Sequence, residues 1–269
     1  MKRNIIAGLL LMGVMGTGVP AQGSQWKRLN DDVVSYCRQG RYDRAITMAR
    51  QALTEAEVGN PDSPLVALSL NNLALLYKTQ GRTAQVEALY TDALKIKEKT
   101  LGPDHLSVAL SLNNLAEWYR TQGQYAKSES LYRRALAIKE RALGPNHPSV
   151  ATSLNNLAVL YRTEGDNVRA EPLFRRALAI RERTFGPDHP SVALSLNNLA
   201  ALYDAQGRYA EAEPLYQRTL AIREKAFGPN HLSVAQSLAD IALLYRKTGR
   251  AQAAQALEKR AANIQTRER

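Results

Sequence analysis

Apolar residues along this chain fall in short helical stripes that keep returning. Leu154, Leu157, Ala158 and Tyr161 stand at i, i+3, i+4 and i+7. At about 100° per residue they share one face, which predicts an amphipathic α-helix. Gly165 interrupts the pattern. A second stripe, Ala170, Leu173, Phe174, Ala177, Leu178 and Ile180, predicts a second helix from about Asn167. Small residues at Ala158 and Ala177 would let the two backbones approach closely. Pro172 and Pro214 fall early in their second helices, within the first turn or so, where a missing N–H costs least.

The pattern is copied. Ser153-Leu154-Asn155-Asn156-Leu157-Ala158 recurs as Ser69 to Ala74, Ser111 to Ala116 and Ser195 to Ala200, with a worn copy at Ser237 to Ala242. Gly81, Gly123, Gly165, Gly207 and Gly249 are 42 residues apart, and Gly40 lies 41 before Gly81. A fixed period of this length means stacked units, none of which can bury its apolar face alone. A chain of 269 residues would ordinarily suggest about two domains, but the repeats run through nearly all of it and argue for one array. The boundaries expected are a leader over 1–21, a degenerate first unit over 22–61, four 42-residue units plus the first helix of the last over 62–249, and a capping helix over 250–269.

Between units stands Leu143-Gly144-Pro145-Asn146-His147-Pro148, echoed at Leu101 to Leu106, Phe185 to Pro190 and Phe227 to Leu232. Glycine can close a helix in the left-handed conformation, and the proline cannot continue it. Asp104, Asn146, Asp188 and Asn230 are then expected to cap the next helix.

These residues resemble the tetratricopeptide repeat in the 42-residue form seen in kinesin light chains. The pattern runs His-Pro-Ser-Val-Ala-x-Ser-Leu-Asn-Asn-Leu-Ala-x-Leu-Tyr, then Gly-x-Tyr-x-x-Ala-x-x-Leu-Tyr-x-x-Ala-Leu-x-Ile. It covers about residues 62–249 closely and 26–58 loosely. The resemblance implies an all-α fold, a right-handed superhelical solenoid of antiparallel helix pairs. It also implies that the first helices line a concave groove binding peptide segments of partner proteins. The departures are at the ends: Asn30-Asp31 and Ala239-Asp240 replace the Asn pair, and Glu258 stands where other second helices have Tyr or Phe.

The start of the chain is of another kind. Lys2 and Arg3 precede an uncharged apolar run, Ile5 to Met15, which is too short to span a bilayer. Val19-Pro20-Ala21 supplies small residues ahead of a possible cut before Gln22. This is the layout of a secretory signal peptide, predicting a periplasmic or secreted protein with no stable membrane insertion after cleavage. An uncleaved anchor is the alternative. The net charge of +11 falls only to +9 without Lys2 and Arg3, so the basic character belongs to the repeats. It fits an acidic partner, an anionic polymer or simply a charged exterior. Cys37 is the only cysteine, so no intramolecular disulfide can form.

Candidate chemistry lies on the first helices. With Leu112, Leu115, Ala116 and Tyr119 facing the core, Asn113 and Arg120 come within about 20° of each other on one flank of the opposite face, and Asn114 and Thr121 take the other. The pairs Asn71-Asn72, Asn113-Asn114, Asn155-Asn156 and Asn197-Asn198 therefore put amides towards the inner surface. An amide both donates and accepts, as an extended peptide main chain requires. Helix spacings of about 8–10 Å match about three residues of extended chain. Alternatively, one Asn of each pair bonds a neighbouring helix and fixes stacking. Beside the amides runs Lys78, Arg120, Arg162 and Arg246, broken by Asp204. This row would favour an acidic peptide or is an ordinary solvated helix end. Arg133-Arg134, Arg175-Arg176 and triplets such as Arg181-Glu182-Arg183 are expected on a solvated convex face, with i,i+4 pairs from Glu129 to Arg133 and Glu171 to Arg175.

His105, His147, His189 and His231 hold one repeat position. Spaced by whole layers, they cannot converge at the 2.0–2.1 Å a metal needs, and a role in the inter-repeat turn is expected. No metalloprotease, nucleophile-elbow or phosphate-loop motif is present. The sequence thus predicts a non-enzymatic scaffold without cofactor or metal, holding an extended, acidic segment of another protein. The alternative is an envelope protein whose basic convex face holds anionic polymer. Nucleic acid is disfavoured if the leader is real.

Overall fold

A computed structural model describes residues 21–58 and 60–267. The expected leader over 1–21 lies outside them, except for Ala21. Among the described residues the chain is all-α, with twelve α-helices and no strand. In chain order they are α1 (Ala21–Arg38), α2 (Tyr42–Glu57), α3 (Pro64–Thr79), α4 (Val86–Leu101), α5 (Leu106–Thr121) and α6 (Tyr125–Leu143). Then come α7 (Pro148–Glu164), α8 (Asn167–Phe185), α9 (Pro190–Ala205), α10 (Tyr209–Phe227), α11 (Leu232–Lys247) and α12 (Ala251–Arg267). A 3-10 turn, Thr83–Gln85, leads into α4. No described helix is long and apolar enough to cross a membrane.

The packing divides into two compact units, Met1–Ile138 and Lys139–Arg269. In the first, α1 packs on α2 and α3 on α4, while α2 meets α3 and α4 meets α5. Val33, Ile46, Leu73, Leu76, Tyr90 and Leu112 form one core cluster. Trp26, Val66, Leu70 and Ala93 form another, and Trp26 Nε1 donates to Ser69 Oγ at 2.8 Å. In the second, α7/α8, α9/α10 and α11/α12 pair, and α8 meets α9 as α10 meets α11. Ala158 and Ala177 are fully buried. Within each unit these are antiparallel-type helix pairs in which a second helix packs on the next first helix.

Each turn is a stop followed by a start. Gly144 ends α6 at φ 84° and Gly165 ends α7 at φ 83°, a region that penalises any side chain. The start differs from the expected one. His147, not Asn146, is the N-cap, with extended backbone and its Nδ1 accepting from Ser149 N at 3.1 Å. His105, His189 and His231 do the same for Ser107, Ser191 and Ser233. The cause is the turn itself. His147 N donates to Gly144 O at 3.3 Å, so Pro145 and Asn146 occupy its middle and the cap moves one residue on. Helix α8 begins at Asn167 as expected, with Asp166 capping it by accepting from Arg169 N, and this puts Pro172 in its second turn and not its first. The proline withholds one donor from the carbonyl of Val168, a solvent-exposed residue of the first turn.

The charged triplets correct the expectation of a fully solvated face. Lys97 is only 8% exposed and Arg181 only 5%. Lys97 Nζ donates to Ser111 Oγ at 2.9 Å and Lys139 Nζ to Ser153 Oγ at 2.9 Å. Arg181 reaches Ser195 Oγ at 2.6 Å and Arg223 reaches Ser237 Oγ at 2.7 Å. Their spacing explains this: Tyr90, Ala93, Leu94 and Lys97 stand at i, i+3, i+4 and i+7, so the cation ends the core stripe. Each cation thus ties a second helix to the next first helix by its serine. The Arg pairs are more exposed, but one of each bridges units. Arg134 meets Glu98 at 2.5 Å and Pro103 O at 3.2 Å. Arg176 repeats this with Glu140 and Pro145 O, and Arg218 with Glu182 and Pro187 O.

Candidate interaction face of the first helices

Helices α3, α5, α7, α9 and α11 bury their Leu/Ala/Tyr stripe and leave the other side partly open. On that side the helices carry equivalent positions, one repeat apart in the sequence. One set is Leu68, Leu110, Thr152, Leu194 and Gln236; another is Leu75, Glu117, Val159, Ala201 and Leu243. Leu194 is 47% and Leu243 53% exposed, although both lie on helices whose neighbouring leucines are buried.

The asparagines occupy the ground between core and open side. Asn71, Asn72, Asn113 and Asn155 are buried, while Asn114, Asn156, Asn197 and Asn198 are half-buried. Several join successive first helices. Asn72 Nδ2 donates to Asn30 Oδ1 at 2.9 Å, Asn114 Nδ2 to Asn71 Oδ1 at 3.5 Å and Asn198 Nδ2 to Asn155 Oδ1 at 2.7 Å. Asn71 Nδ2 also donates to Ala67 O at 2.8 Å. In these contacts the second Asn of a pair donates to the first-Asn position of the preceding unit. That is the stacking arrangement, and each such bond contributes about 1 kcal/mol net.

Cations of the charge row are engaged as well. In the first unit Glu117 takes Arg120 Nε and Nη2, both at 2.8 Å, and Tyr132 OH at 2.9 Å. Lys78 Nζ lies 4.0 Å from the same carboxylate. Partial burial works against ionisation of Glu117, but the Arg120 hydrogen bond and the charges of Arg120 and Lys78 outweigh it, and the carboxyl is held below its ordinary range. Burial pulls Lys78 down, Glu117 working against it. In the second unit Arg162 Nη1 donates to Asn198 O at 3.5 Å, with its guanidinium 5.9 Å from the Phe174 ring centre. Asp204 pairs with Lys247 at 2.7 Å. Arg246 pairs with Glu258 through two contacts of 2.6 Å, so the glutamate that breaks the aromatic pattern of second helices answers this arginine. Burial raises Asp240 above the ordinary carboxylate range, against a hydrogen bond from Gln236.

Other candidates are accounted for by the fold. The histidines cap helices, and among the described residues no three His, Cys, Asp or Glu side chains come together as a metal group would. Burial pushes the Cys37 thiol up to about 11, which makes it a poor nucleophile at neutral pH. Glu117, Leu194 and Leu243 escaped the sequence reading. For Glu117 and Leu243 the signal was there, in the position after Leu-Ala or Ile-Ala where the copies differ, and for Leu194 in the position before the repeated Ser-Leu.

No curated protein matches the sequence. The family model for the tetratricopeptide repeat matches residues 34–99, 87–141, 107–183, 150–225 and 205–267. The fold is similar to the crystal structure of BtubC (BKLC) from P. vanneervenii, at 26% identity over 84% of this chain and 92% of that one, with a TM-score of 0.72. It is also similar to a Podosopora anserina putative kinesin light chain of nearly identical repeats, at 27% identity over 77% and 98%, TM-score 0.67. At 17% identity the likeness to a Rap protein complexed with competence and sporulation factor is one of fold, over 90% of this chain and 75% of that one, TM-score 0.61. With the five repeat matches running from 34 to 267, the chain belongs to the tetratricopeptide repeat family.

Proposed function

We propose that this protein is a non-enzymatic interaction scaffold whose first helices hold an extended segment of a partner protein. One observation carries this: the open side of the first helices leaves large apolar residues, Leu194 and Leu243, in solvent, and the helix of Leu194 also carries the half-buried amides Asn197 and Asn198. Folding gains nothing from that exposure, whereas a guest chain would bury the leucines and meet the amides Asn156 and Asn198. Acidic side chains on the guest would address the row Lys78, Arg120, Arg162 and Arg246, displacing Glu117 and Glu258 where these already sit. The apolar row supplies affinity, and the charges supply register. The leader-like start of the sequence favours action outside the cytoplasm. Anionic polymer on the second helices has weaker support, since Arg134, Arg176 and Arg218 already meet carboxylates.

The test compares two variants of the full chain for capture of the same partner from envelope extract. Leu194→Ser with Leu243→Ser should abolish capture while the melting temperature stays within a degree or two, because both side chains are exposed. Asn198→Ala should lower the melting temperature, having lost its bond to Asn155. Unchanged capture by the leucine double variant would rule this face out.

A further inference from the structure

Five copies of the open face share one variable position, occupied by Leu75, Glu117, Val159, Ala201 and Leu243. Only Glu117 is charged. It stands where two cations of successive copies, Lys78 on α3 and Arg120 on α5, come to one place. Its two oxygens are used: Oε1 takes Arg120 Nη2 at 2.8 Å with Lys78 Nζ 4.0 Å away, and Oε2 takes Arg120 Nε and Tyr132 OH at 2.8 and 2.9 Å. A forked, planar contact of this kind is what a carboxylate of a bound peptide would make with the same arginine. The group is not sealed in, for the side chain of Glu117 is 40% exposed and those of Lys78 and Arg120 are 26% and 22% exposed.

We propose that Glu117 is a specificity-determining residue, a resident carboxylate that occupies the Lys78/Arg120 site and turns acidic segments away from the first unit. An incoming Asp or Glu must displace a carboxylate tethered three residues from its arginine and held by a tyrosine besides. Until it does so it is repelled, like charge against like. A neutral or apolar guest residue meets no such competitor. The first unit therefore selects against acid at this step of the guest, although a sequence count of its cations predicts the reverse.

This rests on the groove reading above, and the test separates the two. The probes are an end-blocked, fluorescein-labelled octapeptide alternating Glu and Gly, and its Gln–Gly counterpart, titrated by anisotropy at low salt into the full chain. Glu117→Gln keeps the shape and the acceptor for Arg120 while removing the charge. Glu117→Leu copies the residue found at 75 and 243. Both should bind the Glu peptide on the order of tenfold more tightly than the wild type, the scale of one partly buried charge contact. The Gln peptide should change less than twofold. Adding Arg120→Gln to Glu117→Gln should cancel the gain and flatten its salt dependence. Equal binding of the Glu peptide by wild type and both variants overturns the inference while leaving the groove intact. No binding of either peptide by any variant overturns the groove in this unit and the inference with it. Melting curves of both variants keep a folding defect from being mistaken for either result.

Discussion

At the scale of single residues, the copies are held together by groups that usually belong on surfaces. Lys97, Lys139, Arg181 and Arg223 each bring a cation to a serine of the next first helix, and Lys97 Nζ also reaches Ser107 O at 3.5 Å. A buried cation answered only by hydroxyl and carbonyl dipoles retains a desolvation cost. Burial lowers Lys97 to about 8, against 10.5 for the free group, and lowers Lys139 as well. The sign follows directly. Below about pH 8 the folded and unfolded chains both carry the proton and the whole cost is felt. Above it the folded chain sheds the proton that the unfolded chain keeps, so stability rises with pH. Lys97 alone should add about 1 kcal/mol between about pH 7 and 9. Cys37, raised to about 11, acts against this from near pH 9 upward. Comparing urea midpoints of wild type and Lys97→Met across that range isolates the lysine: the wild type should gain on the variant as pH rises. Parallel curves would mean that the ammonium is solvated after all.

At the scale of elements, most of the fold was written plainly in the sequence. The 3.6-residue stripes located the helix pairs, and Gly165 and Asn167 marked where α7 stops and α8 begins. Three things were not legible, each for a physical reason. The cap fell on His147 because a turn hydrogen bond shifts the helix start by one residue, and composition favours Asn there. Arg181 was expected in water because its charge outweighed its i+7 position from Phe174. The pairing of Arg120 with Glu117, and of Arg246 with Glu258, depends on which rotamer bridges the helix surface, and no periodicity encodes that. The histidine cap can be checked by substitution. His147→Ala removes the acceptor for Ser149 N at the start of α7 and should cost about 1 kcal/mol. His147→Asn, a good capping residue in the same extended conformation, should restore most of it. Equal loss from both variants in thermal melts would show that the imidazole packs and does not cap.

At the scale of the whole molecule, the chain carries a net charge of +11, and many of its cations pair with carboxylates of a neighbouring copy. Arg208 with Glu171, Arg250 with Glu213 and Arg260 with Glu224 each join residues somewhat less than one repeat apart in the chain. A stack of this kind holds its stability in contacts between neighbours, so damage at one end stays near that end. The C-terminal helix α12 is the place to see it. Its Ala254, Ala261 and Ile264 are buried, and Ala261 and Ile264 pack with Val234, Ala235 and Leu238 of α11. Its outer side, with Gln252, Gln255, Lys259 and Asn263, is polar and exposed. Deleting residues 251–269 uncovers the apolar side of α11 and removes Glu258 from Arg246 and Arg260 from Glu224. Burial of Ile264 and its alanine neighbours is worth about 3 kcal/mol or more. The shortened chain should therefore self-associate in light scattering, its new end being apolar where the old one was polar. Amide exchange should localise the loss: α11 and then α10 lose protection, while α7 and α8 of the same unit keep theirs. Loss of protection throughout α7 to α11 would instead mean that this unit melts as one block, and that its cross-repeat pairs bind it more tightly than contacts between neighbours alone could.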